Sequence, residues 1–221
     1  FQRNIGHHIH KGDFKGKWVT HSMLWTPAGL KFYIDGELIR EWWNPNDIKS
    51  PNHAMNMFFG AYGMNGVTME VDYVRCYQWD LRKNNHLPNP GFEYSDKLFP
   101  WEGTGQIDNL NARAGKYALK LAPGAYIEQY IYLDHSKNYE LDFWTKGEGE
   151  LTVKAENITQ VSGMSEDCTE IKCVPSTQYA VQKMQFAAND EPFDNKKTVK
   201  ISFKNTGDKE IFLDDTMILP K

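Results

Sequence analysis

Apolar and polar residues alternate along this chain in short runs, and Gly, Pro, Asn and Asp separate one run from the next. No window of about 11 residues or more keeps its apolar positions at helical spacing, so the chain is predicted to be all-β, built from sandwiches or barrels. The clearest local signal is Trp25 to Gly36. A strand ends at Trp25, Thr26-Pro27-Ala28-Gly29 turns the chain, and a second strand runs from Leu30 to Ile34. Asp35-Gly36 is a two-residue hairpin turn, and a third strand follows over Glu37 to Trp43. Around this meander the pattern predicts strands at Phe1–Ile5, Trp18–Trp25, His53–Phe59 and Thr68–Trp79.

The alternation dissolves at Asp80 to Pro88, which is charged and ends in proline. Three segments follow from this break: residues 1–80, a linker over 81–88, and a second unit over 89–221, a normal size for one β-sandwich. Within the second unit, strands are expected at Tyr117–Leu121, Ala125–Leu133, Tyr139–Lys146, Leu151–Glu156, Ala180–Ala187, Thr198–Asn205 and Glu210–Leu219. In the strand from Ala125, Ile127, Gln129, Ile131 and Leu133 share the inward face, leaving Tyr126, Glu128, Tyr130 and Tyr132 opposite. In the strand from Tyr139, Trp144 stands on the polar face with Glu140, Asp142 and Lys146. Aromatic rings interleaved with carboxylates suit a pyranose, whose C–H faces stack on rings while its hydroxyls bind charged groups. These two aromatic faces form one platform only if Asp134–Asn138 does not cross between sheets.

Composition narrows the classes. A net charge of −4 with mixed signs argues against nucleic acid or an anionic membrane as main partner. No apolar run approaches the length of a membrane span. Of the three cysteines, Cys168 and Cys173 flank Thr-Glu-Ile-Lys in a turn-rich stretch and are candidates for a small loop disulfide in an oxidising compartment. Cys76 is expected to be a buried thiol, and no second Cys or His pair at ligand spacing makes a zinc site. His8 and His10 share one strand face, which admits a metal site or a polar cleft edge. Asn157-Ile158-Thr159 is a glycosylation sequon, relevant in a eukaryotic secretory pathway.

Four motifs, in order, carry a resemblance: Trp18–Trp25 with Thr26-Pro27, Phe32–Gly36, Met55–Gly60 and Val71–Gln78. Together they resemble the C-terminal portion of a glycoside hydrolase family 16 domain, the family of laminarinases, lichenases, agarases and carrageenases. The resemblance implies part of a concanavalin-like jelly-roll sandwich with a substrate cleft on its concave sheet. It also implies cleft roles for Gln2, Asn4, Asn56 and Phe58. Asn56 and Phe58 match the Asn-x-Trp of the family's cleft strand, and strand alternation puts them on one face. Trp25, Phe32 and Tyr33 read as packing. Val19 and Leu24 depart from the pattern, which leaves the substrate subgroup open.

The family's catalytic Glu-x-Asp-x-x-Glu strand does not occur in this sequence. Retaining glycosidases need two carboxylates about 5–5.5 Å apart, and positions i, i+2 and i+4 of a strand supply such a set. Glu148-Gly-Glu150 comes nearest but lies in a Gly-broken turn, so no catalytic residue is assigned. The chain starts at Phe1 inside a strand-like run, as a piece of a longer chain would, and the resemblance places the signature about one strand earlier. Residues 1–80 are then expected to leave apolar faces exposed, and the chain by itself to lack hydrolytic activity.

The second unit, through Asn89-Pro90-Gly91-Phe92-Glu93, Trp101, Gly115–Leu119, Ile127-x-Gln129, Tyr139–Trp144 and Phe212–Asp215, resembles carbohydrate-binding modules of families 4, 9 and 22. This implies a complete second jelly roll without catalytic machinery; together with the alternation above, the residues expected to bind sugar are Trp101, Tyr126, Tyr130 and Trp144. Carboxylates brought together by the terminal strands, Glu93 with Asp214 or Asp215, point to a structural calcium, as does the resemblance. The reading is a secreted or cell-surface protein, of bacterial type. It is read as the C-terminal part of an endo-glycosidase acting on a β-glucan or galactan, retaining by what the resemblance implies, with a trailing polysaccharide-binding module. The alternatives are a non-catalytic, lectin-like glycan-binding protein and a cell-surface spacer.

Overall fold

The computed structural model describes residues 14–26, 29–42, 66, 68–77, 85–94, 98–159, 164–191 and 196–221. All regular structure in these residues is strand, and no helix among them is long and apolar enough to cross a membrane. The chain is all-β.

Strands β1 (His21–Thr26), β2 (Gly29–Ile34) and β3 (Glu37–Trp42) form an antiparallel meander in sequence order. Ile34 pairs with Glu37, so Asp35-Gly36 is a two-residue loop, with φ of 50° and 83°. Both central residues of such a turn need positive φ, which Asp tolerates and Gly adopts freely. Asp35 also closes the entry to β1: its N–H donates to the Thr20 carbonyl, and its carboxylate accepts the Thr20 N–H at 2.7 Å. The meander expected from sequence is therefore present. Residues 68–77, by contrast, form no strand, and Met69, Val71, Tyr73 and Cys76 are exposed. Without a paired neighbour among the described residues, alternation alone does not make a strand or bury a thiol. The expected strands at Phe1–Ile5 and His53–Phe59, and His8 with His10, lie outside the described residues.

The remaining strands make two five-stranded antiparallel sheets. They are β4 (Glu102–Gly103), β5 (Gln106–Asp108), β6 (Ala118–Leu121), β7 (Tyr126–Asp134), β8 (Lys137–Gly147), β9 (Leu151–Ile158), β10 (Ser165–Cys173), β11 (Ala180–Ala188), β12 (Lys196–Asn205) and β13 (Ile211–Pro220). One sheet has the order β10-β9-β12-β7-β4, the other β11-β8-β13-β6-β5. Their inner faces share one apolar core, with Ile127, Leu133, Val153, Ile201 and Phe203 from the first and Leu119, Leu141, Phe143, Leu213 and Ile218 from the second. The inward sets read from alternation on β7 and β8 are the buried ones.

Trp101 is a core residue. It is 2% exposed, lies against Phe92 and Phe203, and donates its indole N–H to the Asn89 carbonyl at 3.1 Å. That corrects its expected role as a sugar platform, because the ring has no free face. The segment before the sandwich also differs from the expected linker. Asn85 donates to the Thr216 carbonyl and accepts N–H groups from Leu87 and Ile218, and Leu87 enters the core. Residues 85–88 are thus held along β13.

Strand β10 has no counterpart among the expected strands, since Ser165–Cys173 is mostly polar and only Ile171 and Cys173 pack against the core. It holds to β9 by ladder pairing and by Lys154–Glu170 at 2.9 Å. At the bulge between Ser165 and Asp167, Glu166 reaches the buried Lys197 at 2.6 Å, which Glu191 also meets at 3.1 Å. Cys168 and Cys173 lie five positions apart on this one strand, about 17 Å of rise, and a disulfide needs Cα atoms within about 7 Å. Both thiols are free, which corrects the loop disulfide. Asn157 of the sequon is 3% exposed, bonded to the Ala187 carbonyl and the Asn189 N–H, so the folded chain offers no amide for glycan transfer.

Replacing Trp101 by Ala removes an aromatic anchor of the core and one of the two N–H groups that the Asn89 carbonyl accepts, leaving that of Phe92. Urea unfolding is expected to show a loss of about 3–5 kcal/mol; a loss within about 0.5 kcal/mol would contradict the core assignment.

Candidate binding face

Alternation on β7 sends Tyr126, Glu128, Tyr130 and Tyr132 to the outer face of its sheet. Cross-strand register adds Lys204 beside Tyr126, Ser202 beside Glu128 and Lys200 beside Tyr130 from β12, and Glu102 beside Glu128 from β4. Tyr126 is 40% exposed and Tyr130 is half-buried. Among the described residues, the side chains of Tyr126, Glu128, Tyr130, Glu102 and Lys204 make no hydrogen bond or ion pair. Lys200 is engaged by Glu156 at 2.8 Å.

The electrostatics follow from this packing. Partial burial raises the Tyr130 hydroxyl pKa, with Lys200 opposing and Glu128 and Glu156 adding to the rise. Burial also raises the Glu102 carboxyl, with Lys31 opposing and Glu41 and Glu128 adding. Among the described residues, rings and hydrogen-bond acceptors therefore stand side by side with no hydrogen-bonding partner occupying them.

Glycine makes the edge of this face. Gly103 has φ of 135°, and a Cβ there would lie 2.2 Å from the Tyr126 carbonyl oxygen. That oxygen accepts N–H groups from Thr104 and Gly105, while Thr104 Oγ1 accepts the Tyr126 N–H. Only glycine permits this approach, which sets Glu102 across from Glu128.

Trp144 lies on the outer face of the other sheet, between Val181 of β11 and Asp214 of β13. Because β7 and β8 belong to different sheets, Trp144 and the tyrosines face opposite ways, and no common platform exists. Its ring is also covered. The Arg113 guanidinium sits 3.7 Å from the ring centroid and pairs with Asp215 at 2.5 Å. Around it, Lys146 donates to Asn111 Oδ1, Tyr179 donates to the Asn111 carbonyl, and Lys183 bridges Glu140 and Asp142. Burial, with Asp214, Asp108 and Asp215, drives the Tyr179 hydroxyl far up. The charged groups of this face engage one another.

The acidic end brings Asp214 and Asp215 together over Gly91, where their Oδ1 atoms lie 3.6 and 3.4 Å from the position a Cβ would take. Fully buried Asp214 accepts N–H groups from Arg113, Ala114 and Asp215. Burial still raises its carboxyl to about 6, against these bonds and with Asp215 adding. Glu93 packs its stem on Gly91 but turns Oε1 to the Lys116 and Tyr117 N–H groups, both at 2.7 Å. The donors are hard oxygens suited to calcium, yet among the described residues no three acidic, His or Cys groups stand at metal-ligand spacing.

Of the residues expected to touch sugar, the structure unites Tyr126 and Tyr130, sets Trp144 behind them and buries Trp101. Gln2, Asn4, Asn56 and Phe58 lie outside the described residues. Sequence reasoning missed Glu102 as a site residue, since a two-residue strand has no period and its partner is distant in the chain. Replacing Gly103 by Ala is expected to cost about 2 kcal/mol in thermal or urea unfolding. It should also shift the amide resonances of Tyr126 and Ile127; unchanged stability and resonances would contradict the close approach.

Comparison with known proteins agrees with this architecture. Residues 2–78 match the model of glycosyl hydrolases family 16. No curated protein matches the chain. Among solved structures, the enzymatically active domain of bacteriophage CBA120 tailspike protein 4 is 13% identical with a TM-score of 0.50, over 62% of this chain and 22% of that one. The chain thus spans about a fifth of that domain. TmCBM61 in complex with β-1,4-galactotriose is 21% identical with a TM-score of 0.43, over 62% of this chain and 99% of that one. The CBM22-1 xylan-binding domain from Paenibacillus barcinonensis Xyn10C is 11% identical with a TM-score of 0.45, over 59% and 90%. The chain joins a segment matched by glycosyl hydrolases family 16, residues 2–78, to an all-β sandwich.

Proposed function

We propose that this chain belongs to a secreted polysaccharide endo-glycosidase of retaining type, acting on a β-glucan or galactan, and that its sandwich holds the polymer. The observation that carries the reading is the row of Tyr126, Glu128 and Tyr130 on β7, without hydrogen-bonding partners among the described residues, in a chain whose residues 2–78 match a glycoside hydrolase family. The rings supply flat apolar surface for pyranose C–H groups, and the carboxylates accept hydrogen bonds from hydroxyls. Polymer held there raises the effective substrate concentration at a linked catalytic domain. Secretion follows from the substrate, since a polysaccharide of that size does not enter a cell. No residue described here takes a catalytic role.

Affinity electrophoresis against lichenan, laminarin and agarose tests binding. Retardation in at least one gel is expected. Tyr130→Ala should weaken it about tenfold, while Trp144→Ala leaves it nearly unchanged. Retardation by none contradicts sugar binding, and loss on Trp144→Ala alone contradicts the choice of face.

The acidic end is proposed to hold a structural calcium through Asp214, Asp215 and Glu93, where the cation would offset the charge that burial disfavours on Asp214. Calcium added after chelation is expected to raise Tm by several degrees, and Asp214→Asn to abolish the rise. Equal Tm with chelator and with calcium contradicts the site.

A further inference from the structure

We infer that the tyrosine face of β7 selects uncharged polysaccharide and rejects sulfated or uronic-acid polymer, with Glu102 and Glu128 as the specificity-determining residues. The inference rests on this face being the polymer site.

Glu102 and Glu128 are directly opposed across the β4–β7 ladder, and opposed side chains in an antiparallel pair stand about 4.5–5.5 Å apart at Cβ. Like charges so placed destabilise a sheet, and a structural role would recruit a cation to each. Lys31 and Lys200 act on Glu102 and Glu128 through space, but these lysines pair with Glu41 and Glu156, and neither carboxylate has an ion pair among the described residues. Elsewhere on the same sheet face the charges are matched, with Lys200 to Glu156 and Lys154 to Glu170 at 2.8 and 2.9 Å. The unmatched charges of the face, among the described residues, are then two carboxylates beside the rings and one ammonium, Lys204, opposite Tyr126. Gly103, by permitting the close approach of β4, holds the opposed pair in place.

The chemistry of such a pair is one-sided. A carboxylate accepts hydrogen bonds from sugar hydroxyls, which a neutral chain supplies at every residue. It has no proton to offer a sulfate ester or a uronate, and it repels both. Specificity of this kind comes from a repulsive element as much as from an attractive one. A carrageenan and its desulfated form share one galactan backbone and differ in sulfation, so they isolate the charge.

Calorimetric titration of the full chain with sulfated carrageenan oligosaccharides and their desulfated, neutral counterparts, with lichenan oligosaccharides alongside, tests the inference at low and high salt. A neutral ligand is expected to bind about tenfold or more tightly than the sulfated one, with the gap narrowing as salt screens the carboxylates. The double variant E102Q/E128Q should gain about tenfold in relative affinity for the sulfated ligand. Equal or tighter binding of the sulfated ligand by the unaltered chain overturns the selection. Exclusion that persists unchanged in the folded double variant overturns the assignment to these two residues. Binding of no ligand overturns the proposed function itself, and this inference with it.

Discussion

The two-residue connection between β7 and β8 governs what this sandwich presents to solvent. His135 and Ser136 carry the chain from one sheet to the other, with Ser136 at φ of 56° and its N–H on the Asn189 carbonyl. Tyr139 reinforces the corner, its hydroxyl accepting the Asp134 N–H at 2.9 Å. Asp134 is pinned by Lys137 and Lys196, which hold its carboxyl at about 2. Once the chain crosses here, side-chain alternation on each strand fixes its outward residues, and the outward residues of β7 and β8 must point in opposite directions.

The two outer faces then differ in one physical respect. On the β8 side the charged groups around Trp144 have internal partners, and the ring lies under Arg113. On the β7 side the rings and carboxylates of Tyr126, Glu128 and Tyr130 have none among the described residues. A ligand at the first face must break bonds that the protein already makes, including a cation–π stack worth about 0.5–2 kcal/mol. At the second, among the described residues, the side chains of Tyr126, Glu128 and Tyr130 make no such bonds to break. That asymmetry favours the β7 side as the proposed binding face.

Much of this architecture is legible in local chemistry. Asp35-Gly36 announces its hairpin, and the period-two runs of β7, β8, β12 and β13 announce both strands and inward faces. What stays hidden depends on distant partners. β10 sets only Ile171 and Cys173 against the core because it is an edge, held also by pairing with β9 and by Lys197 through Glu166, so its cysteines read as a turn. β4 is too short to show a period, and its place follows from the contact of Gly103 with Tyr126. Trp101 reads as a ring without saying which side of the sheet it fills, and residues 68–77 alternate without forming a strand.

The central claim is that a glycan is held on β7 and not at Trp144. Backbone amide resonances followed through a titration with a neutral β-glucan oligosaccharide test it most directly. Shifts concentrated at Glu102–Thr104, Tyr126–Tyr130 and Lys200–Lys204 are the expected result. Shifts confined to Arg113, Trp144 and Tyr179 would contradict it.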